Sequence, residues 1–296
     1  MSSYWWVKNH AEGSLLRVAV FEGTSSTDGN VSSIVEQVEL QAKRASQEYS
    51  THLLVFPELF LSGYILNRDI MLSAARYIVE KDVIGHLQQV ARQYSIALQI
   101  GYPELDNDEK IYNTAVLINE DGKILLNYRK THLWSDKERE VFEEGNELSP
   151  VVEFHGVRVA IMICYDSEMC EVARSLCLLG AQLLIISTAL SSSPRNKNIA
   201  RHMIPTRALE NHVWIAYANL ALPDFYGLSR IIGPDGDELC RVENDPLIVA
   251  DLIPKNYLSS IASTPYLADR RPLLYTAIHD INYHVQLPAN YQYTDD

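Results

Sequence analysis

Three side chains capable of chemistry stand where apolar runs end. Glu58 follows Leu53-Leu54-Val55-Phe56-Pro57, Lys130 follows a predicted strand at 123–127, and Cys164 closes the run 157–163, the most apolar strand of the chain. A carboxylate carries protons, an ammonium holds developing negative charge, and a thiol attacks carbon. Strand C-termini are held rigidly, and the loops beyond them are free to shape a pocket. Each residue also has an ordinary reading. Glu58 reads as a solvated loop carboxylate or a cap, Lys130 as surface charge, and Cys164 as an inert core thiol.

The elements that would position these groups follow from hydrophobic periodicity. Strands are predicted at 15–21, 51–56, 96–102, 114–118, 123–127, 157–163, 183–187, 213–218, 228–232, 238–242 and 247–251. Helical spacing marks Val31, Ile34, Val35, Val38, Ala42 and Ala45, and again Val83, Leu87, Val90, Ala91 and Tyr94. About eleven strands and about four main helices result. Helices separate the early strands, whereas tight turns such as Pro234-Asp235-Gly236 join the later ones. Such a pattern suits mixed sheets with helices outside, an α/β fold. No repeat or linker divides the chain, so residues 1–296 read as one domain. Residues 256–296 read as an irregular tail rich in tyrosine (Tyr257, Tyr266, Tyr275, Tyr283, Tyr291, Tyr293) that packs on the domain or on a partner subunit.

Composition excludes several classes. The 296 residues hold 25 Lys+Arg against 38 Asp+Glu, a formal charge of −13, with no basic run, which argues against nucleic acid as a partner. At 47% hydrophobic and 21% charged residues, disorder is not expected. The longest apolar stretch, 176–190, is broken by Gly180 and Gln182 and is too short to span a bilayer. The first thirteen residues lack the pattern of a signal peptide. Cys164, Cys170, Cys177 and Cys240 form no CxxC pair and are too sparse for a disulfide scaffold, so a cytoplasmic protein with free thiols is expected. No histidine pair has metal-ligand spacing, no GxGxxG or phosphate loop occurs, and no GxSxG stands anywhere, so neither metal nor cofactor is expected. His132, two positions from Lys130, is the residue a papain-like pair would need. The structural reading of it is the better one.

Together the three residues lie in segments that resemble the nitrilase superfamily of carbon–nitrogen hydrolases. Phe56-Pro57-Glu58-Leu59-Phe60 with Ser62-Gly63-Tyr64 resembles its first motif, Tyr128-Arg129-Lys130-Thr131-His132-Leu133 its second, and Cys164-Tyr165-Asp166 with Glu171 its third. Arg207-Ala208-Leu209-Glu210-Asn211, Tyr217-Ala218-Asn219, Gly227-Leu228-Ser229 and Gly233-Pro234-Asp235-Gly236 are similar to its later segments. The resemblance runs nearly end to end. It implies a four-layer α-β-β-α sandwich and a catalytic set of Glu58, Lys130 and Cys164. It further implies a carboxylate seven residues before the Gly of Phe142-Glu143-Glu144-Gly145, which is Glu138, with Glu140 as the rival. In that reading Cys164 attacks an amide carbonyl to form a thioester. Glu58 moves the protons, Lys130 and the backbone N–H of Tyr165 hold the oxyanion, and Glu138 orients Lys130. The ammonium is also expected to favour the thiolate.

Departures and details narrow the class. Met169-Cys170-Glu171 stands where relatives often carry Phe-Pro-Glu, which is neutral for the chemistry. Cys170, Cys177 and Cys240 are expected to be small buried filler. Tyr165-Asp166, rather than Trp-Glu, resembles the amidase and carbamoylase branches. A small linear carboxamide releasing ammonia is the expected substrate. The alternative is an N-carbamoyl compound, whose carboxylate Arg195, Lys197 and Arg201 could clamp. A catalytically silent binding module and an acyl-transferring enzyme are the remaining readings. Pocket walls are expected near Tyr64, Trp134, Tyr226 and 188–193, with Thr188 on the substrate. A homodimer or larger assembly is expected, through the tail and the helix near 170–179.

Overall fold

The computed structural model describes residues 15–221 and 223–280. Two six-stranded sheets lie face to face. The first has the order β12-β1-β2-β3-β4-β5 and the second β11-β10-β9-β8-β7-β6. The strands are β1 Leu16–Phe21, β2 Leu53–Val55, β3 Ala97–Leu105, β4 Ile111–Ile118, β5 Ile124–Arg129, β6 Val152–Phe154, β7 Val157–Ile163, β8 Leu183–Thr188, β9 Trp214–Asn219, β10 Arg230–Ile232, β11 Glu238–Arg241 and β12 Leu247–Leu252. The trios β1, β2, β3 and β7, β8, β9 run parallel, and the flanking pairs are antiparallel.

Alternation along β1 and β2 builds the sandwich. Leu16, Val18, Val20, Leu53 and Val55 join one core with Val159, Ile161 and Ile185 of the second sheet. Ala19, Phe21 and Leu54 point the other way, into a core formed with three helices. These are α1 Val31–Tyr49, α2 Arg68–Glu80 and α3 Val83–Tyr94. Their contributions include Val38, Ala74 and Leu87. The second sheet is covered by α5 Cys170–Leu178 and α7 Ile204–Asn211, which supply Val172, Leu176, Ile204 and Ala208. The layers are therefore α-β-β-α, as the resemblance implies. Between these helices lie the short α4 Asp136–Val141 and α6 Pro194–Asn198.

Three features differ from expectation. Helix α2 was absent from the periodicity reading, yet Met71, Ala74, Ala75 and Ile78 form a buried stripe, and Asn67 caps it by accepting from the Ile70 N–H at 3.1 Å. A twelfth strand among the described residues, β6, pairs with β7 across His155-Gly156. Both turn residues have positive φ (49° and 76°), the geometry of a two-residue hairpin turn. The tail drawn as irregular from 256 begins within a helix, α8 Pro254–Ser263. Pro254 opens it, and Tyr257 stacks on Trp214 with ring centroids 5.0 Å apart. Tyr283, Tyr291, Tyr293 and the first thirteen residues lie outside the described residues. Among the described residues, no helix is long and apolar enough to cross a membrane.

Candidate active site

Glu58 and Lys130, from loops after β2 and β5, converge with Glu138 of the short helix α4. Glu58 lies three residues beyond β2, in a turn where Leu59 takes φ 48°. Gly101 makes room for it. A Cβ there would lie 2.5 Å from the Leu59 nitrogen and 3.0 Å from the Pro57 carbonyl oxygen. Lys130 follows β5 and donates its backbone N–H to the Asn113 carbonyl of β4 at 2.8 Å. Its Nζ donates to Glu58 Oε1 at 2.8 Å and to Glu138 Oε1 at 2.6 Å, and all three side chains are fully buried.

Glu138, not Glu140, holds this position; Glu140 is exposed. Local capping explains the choice. Ser135 caps α4, accepting from the Glu138 N–H at 3.2 Å, so Glu138 stands three residues after an N-cap serine. Its Oε2 accepts from the Trp134 N–H at 2.6 Å, which turns the carboxylate inward.

Cys164 ends β7 at φ 46°, the left-handed region that non-glycine residues rarely occupy. The 3₁₀ turn Cys164–Glu168 starts there. Asp166 pins this turn. Its Oδ2 accepts from the Ile163 N–H at 3.0 Å and from Tyr128 Oη at 2.8 Å. Its Oδ1 accepts from Thr131 Oγ1 and the His132 N–H, both at 3.0 Å, and lies 2.9 Å from His132 Nδ1. One buried carboxylate thus ties the nucleophile's turn to the Lys130 loop of the other sheet. It also explains His132, whose partner is Asp166 and whose pKa that hydrogen bond raises. Asp166 escaped the sequence reading because its partners lie far along the chain.

Electrostatics set the protonation states. Burial alone would lower the Lys130 pKa, but the Glu138 and Glu58 carboxylates outweigh it and hold the ammonium well above its usual range. Glu58 is raised, first by burial and then by Glu138, against the pull of Lys130 and Asn113. The Cys164 thiol is raised well above its usual range by burial and by the Glu58 carboxylate. Lys130 and a hydrogen bond from the Ala189 backbone act the other way and lose. The Lys130 ammonium thus favours the thiolate, as expected, but burial and the Glu58 carboxylate outweigh it and shift the balance toward the thiol.

Asn113 was missed. Its Nδ2 donates to Glu58 Oε1 at 2.8 Å and to Glu138 Oε1 at 3.2 Å, clamping both carboxylates about Lys130. A lone amide inside the apolar strand β4 is the signal, because a buried amide needs partners. Glu58 Oε2 is left without a hydrogen-bond partner among the described residues.

The remaining expected residues are placed as follows. The Tyr64 ring meets Phe225 edge-on at 6.5 Å, and burial raises its hydroxyl well above the usual range, with Glu138 adding to the effect. Trp134 serves the site through its backbone N–H, and its side chain is half-buried. Tyr165 is half-buried in the 3₁₀ turn. Thr188 is buried; its hydroxyl lies 3.1 Å from the Ala218 carbonyl and 2.9 Å from Asn219 Oδ1, and its carbonyl accepts from the Glu58 N–H at 3.4 Å.

Arg195 lies 3.7 Å from Glu168, Lys197 sits 5.5 Å over the Tyr226 ring, and Arg201 is exposed, so the three cations form no common clamp. Cys170 is exposed with its sulfur 3.2 Å from Glu171 Oε2, which corrects its assignment as buried filler; Cys177 is buried and Cys240 partly so.

Residues 17–259 match the family described as carbon-nitrogen hydrolase. A protein of Pseudomonas protegens named for its place in the pqqF 5' region, a hydrolase, is 36% identical over 81% of this chain and 83% of its own. An (R)-stereoselective amidase of Pseudomonas sp. is 34% identical over 76% of this chain and 81% of its own. Among solved structures, the amidase from Nesterenkonia sp. AN1 superposes with a TM-score of 0.78 at 30% identity, covering 90% of this chain and 97% of that one. That structure, of a mutant, shows the acetamide moiety of fluoroacetamide added covalently at the active-site cysteine. The chain belongs to the carbon–nitrogen hydrolase family of the nitrilase superfamily, on its amidase branch. Its chemistry is hydrolysis of amide carbon–nitrogen bonds.

Proposed function

We propose that the protein hydrolyses small linear primary carboxamides through a Cys164 thioester, releasing ammonia. The observation that carries this reading is the unpaired Oε2 of Glu58, a buried carboxylate oxygen held by Lys130 and Asn113 through its other oxygen, with a charge that acts on the Cys164 thiol. Glu58 takes the thiol proton as Cys164 Sγ bonds to the amide carbon. An ammonium has three N–H donors, and Lys130 spends two on Glu58 and Glu138. The third is available for the oxyanion, with the Tyr165 backbone N–H as second donor. Collapse expels ammonia as Glu58 returns the proton. Water then attacks the thioester, Glu58 takes its proton, and the carboxylic acid leaves as the thiol is restored.

A screen for ammonia release across primary carboxamides, N-carbamoyl amino acids and nitriles tests the reading. Turnover of primary carboxamides with no turnover of the other two classes is expected. Preferred turnover of carbamoyl compounds would replace the substrate class. Hydroxamate as the main product when hydroxylamine is present would assign acyl transfer instead.

Glu58 must be ionised to act, and its raised pKa places the acid limb of kcat/KM above the ordinary carboxylate range. Asn113→Ala removes a donor that lowers this pKa, so the limb moves to still higher pH. Lost hydrogen bonding also lowers stability, by about 1–3 kcal/mol. A pH–rate profile of both proteins with thermal melts checks this; an unmoved limb would sink the clamp role.

All four cysteines are free, which suits a reducing compartment such as the cytoplasm. The partner that fits the chain is a second copy. Leu178 and Leu179 near the end of α5, with Leu273, Leu274 and Ile278 of the tail, are exposed large apolar side chains, and α5 and the tail line one common cavity. Sedimentation at micromolar concentration is expected to give twice the mass of one chain, and Leu273→Asp with Leu274→Asp to halve it. A monomer in the unmodified protein would overturn this assignment.

A further inference from the structure

The turn that presents the nucleophile carries a second buried carboxylate that the reaction does not use. Glu168 closes the 3₁₀ turn begun by Cys164, and its side chain is 9% exposed. The turn is anchored from below. Arg207 Nε donates to the Ser167 carbonyl at 3.1 Å and its Nη2 to the Glu168 carbonyl at 2.8 Å, while its Nη1 is taken by Glu210 at 3.0 Å.

Every other buried carboxylate at the site is committed. Glu58 and Glu138 hold Lys130 and Asn113, and Asp166 is saturated by Ile163, Tyr128, Thr131 and His132. Glu168 differs. Among the described residues its one ion pair is with Arg195 at 3.7 Å, and that guanidinium is 74% exposed. An exposed pairing of this kind is worth about 0–1 kcal/mol. A better-fitted cation displaces it.

The location ties Glu168 to the reacting centre. It stands four positions after Cys164, at the other end of the same five-residue turn. Burial raises the Glu168 pKa, and the Arg195 and Lys130 charges oppose the shift. A cation brought beside it offsets that cost of desolvation.

We propose that Glu168 forms a subsite for a protonated amine, so that the substrates of this site are small carboxamides bearing an ammonium group. The proposal rests on the amide-hydrolase reading above and deepens it by naming the substrate class. It requires selection against anionic amides, because a carboxylate placed there would meet the Glu168 charge, with the exposed Arg195 as its nearest ion-pairing cation.

Binding in the Cys164→Ala background tests it without turnover. At neutral pH β-alaninamide, which carries the ammonium, should bind at least about tenfold more tightly than its near-isostere butanamide, and succinamate more weakly than either. Glu168→Gln should erase the difference between the first two amides, and Glu168→Arg should put succinamate ahead. Equal or undetectable binding of β-alaninamide and butanamide, or a preference that survives Glu168→Gln, would overturn the proposal. Ammonia release by the unmodified protein stays a separate readout, so loss of the amidase reading and loss of the subsite are distinguishable.

Discussion

Replacing Cys164 with alanine abolishes ammonia release from every amide the protein hydrolyses. The expected loss is about 10⁴-fold or more in kcat, because nucleophile and base act as a unit. The fold should survive. Alanine keeps the Cβ that the φ 46° backbone already tolerates and gives up one sulfur atom with its hydrogen bond from the Ala189 backbone. Thermal melts should therefore stay within a few degrees while activity vanishes. Intact mass gives an independent check: amide-treated enzyme should show an acyl adduct that the variant lacks. Full activity in Cys164→Ala would end the thioester mechanism.

The second large effect belongs to Lys130. Lys130→Met keeps an unbranched side chain, one heavy atom shorter, but leaves Glu58 and Glu138 together, buried, without their cation. Breaking a buried pair by removing one partner typically costs about 3–5 kcal/mol, and losing an oxyanion donor about 10²–10³ in rate. The variant should hence be both unstable and nearly inactive, unlike Cys164→Ala. The pH dependence follows from the sign of the shift. Without the ammonium, which lowers it, the Glu58 pKa rises further above its unfolded value. A raised carboxylate gives stability that is complete below its unfolded pKa and is lost as pH rises through its folded pKa. The variant should melt at higher temperature in mild acid than at neutral pH, and a melt unchanged across that window would refute the account.

Much of this arrangement was legible in the sequence, and the limits were physical. The run 157–163 is apolar at nearly every position and stops at Cys164, so the strand and the nucleophile were readable together. Glu138 was chosen over Glu140 by its spacing to Phe142-Glu143-Glu144-Gly145, and the structure adds the local reason, the N-cap Ser135 three residues earlier. Helix α2 was harder, because two of its four buried positions are alanines that carry little hydrophobic contrast. Asn113 was hidden because the strand expected from sequence began only at Thr114, which left this amide outside it. Asp166 depends on contacts between segments 34 to 38 residues apart, which no local pattern encodes.

The base and the ammonium hang from one sheet, the thiol from the other, and the Asp166 carboxylate is the strap between them. Catalysis here is in effect a measurement of alignment across the seam of the sandwich. A chain that kept all its strands but let the two halves slide by the width of an atom would look folded in every bulk measurement and do no work.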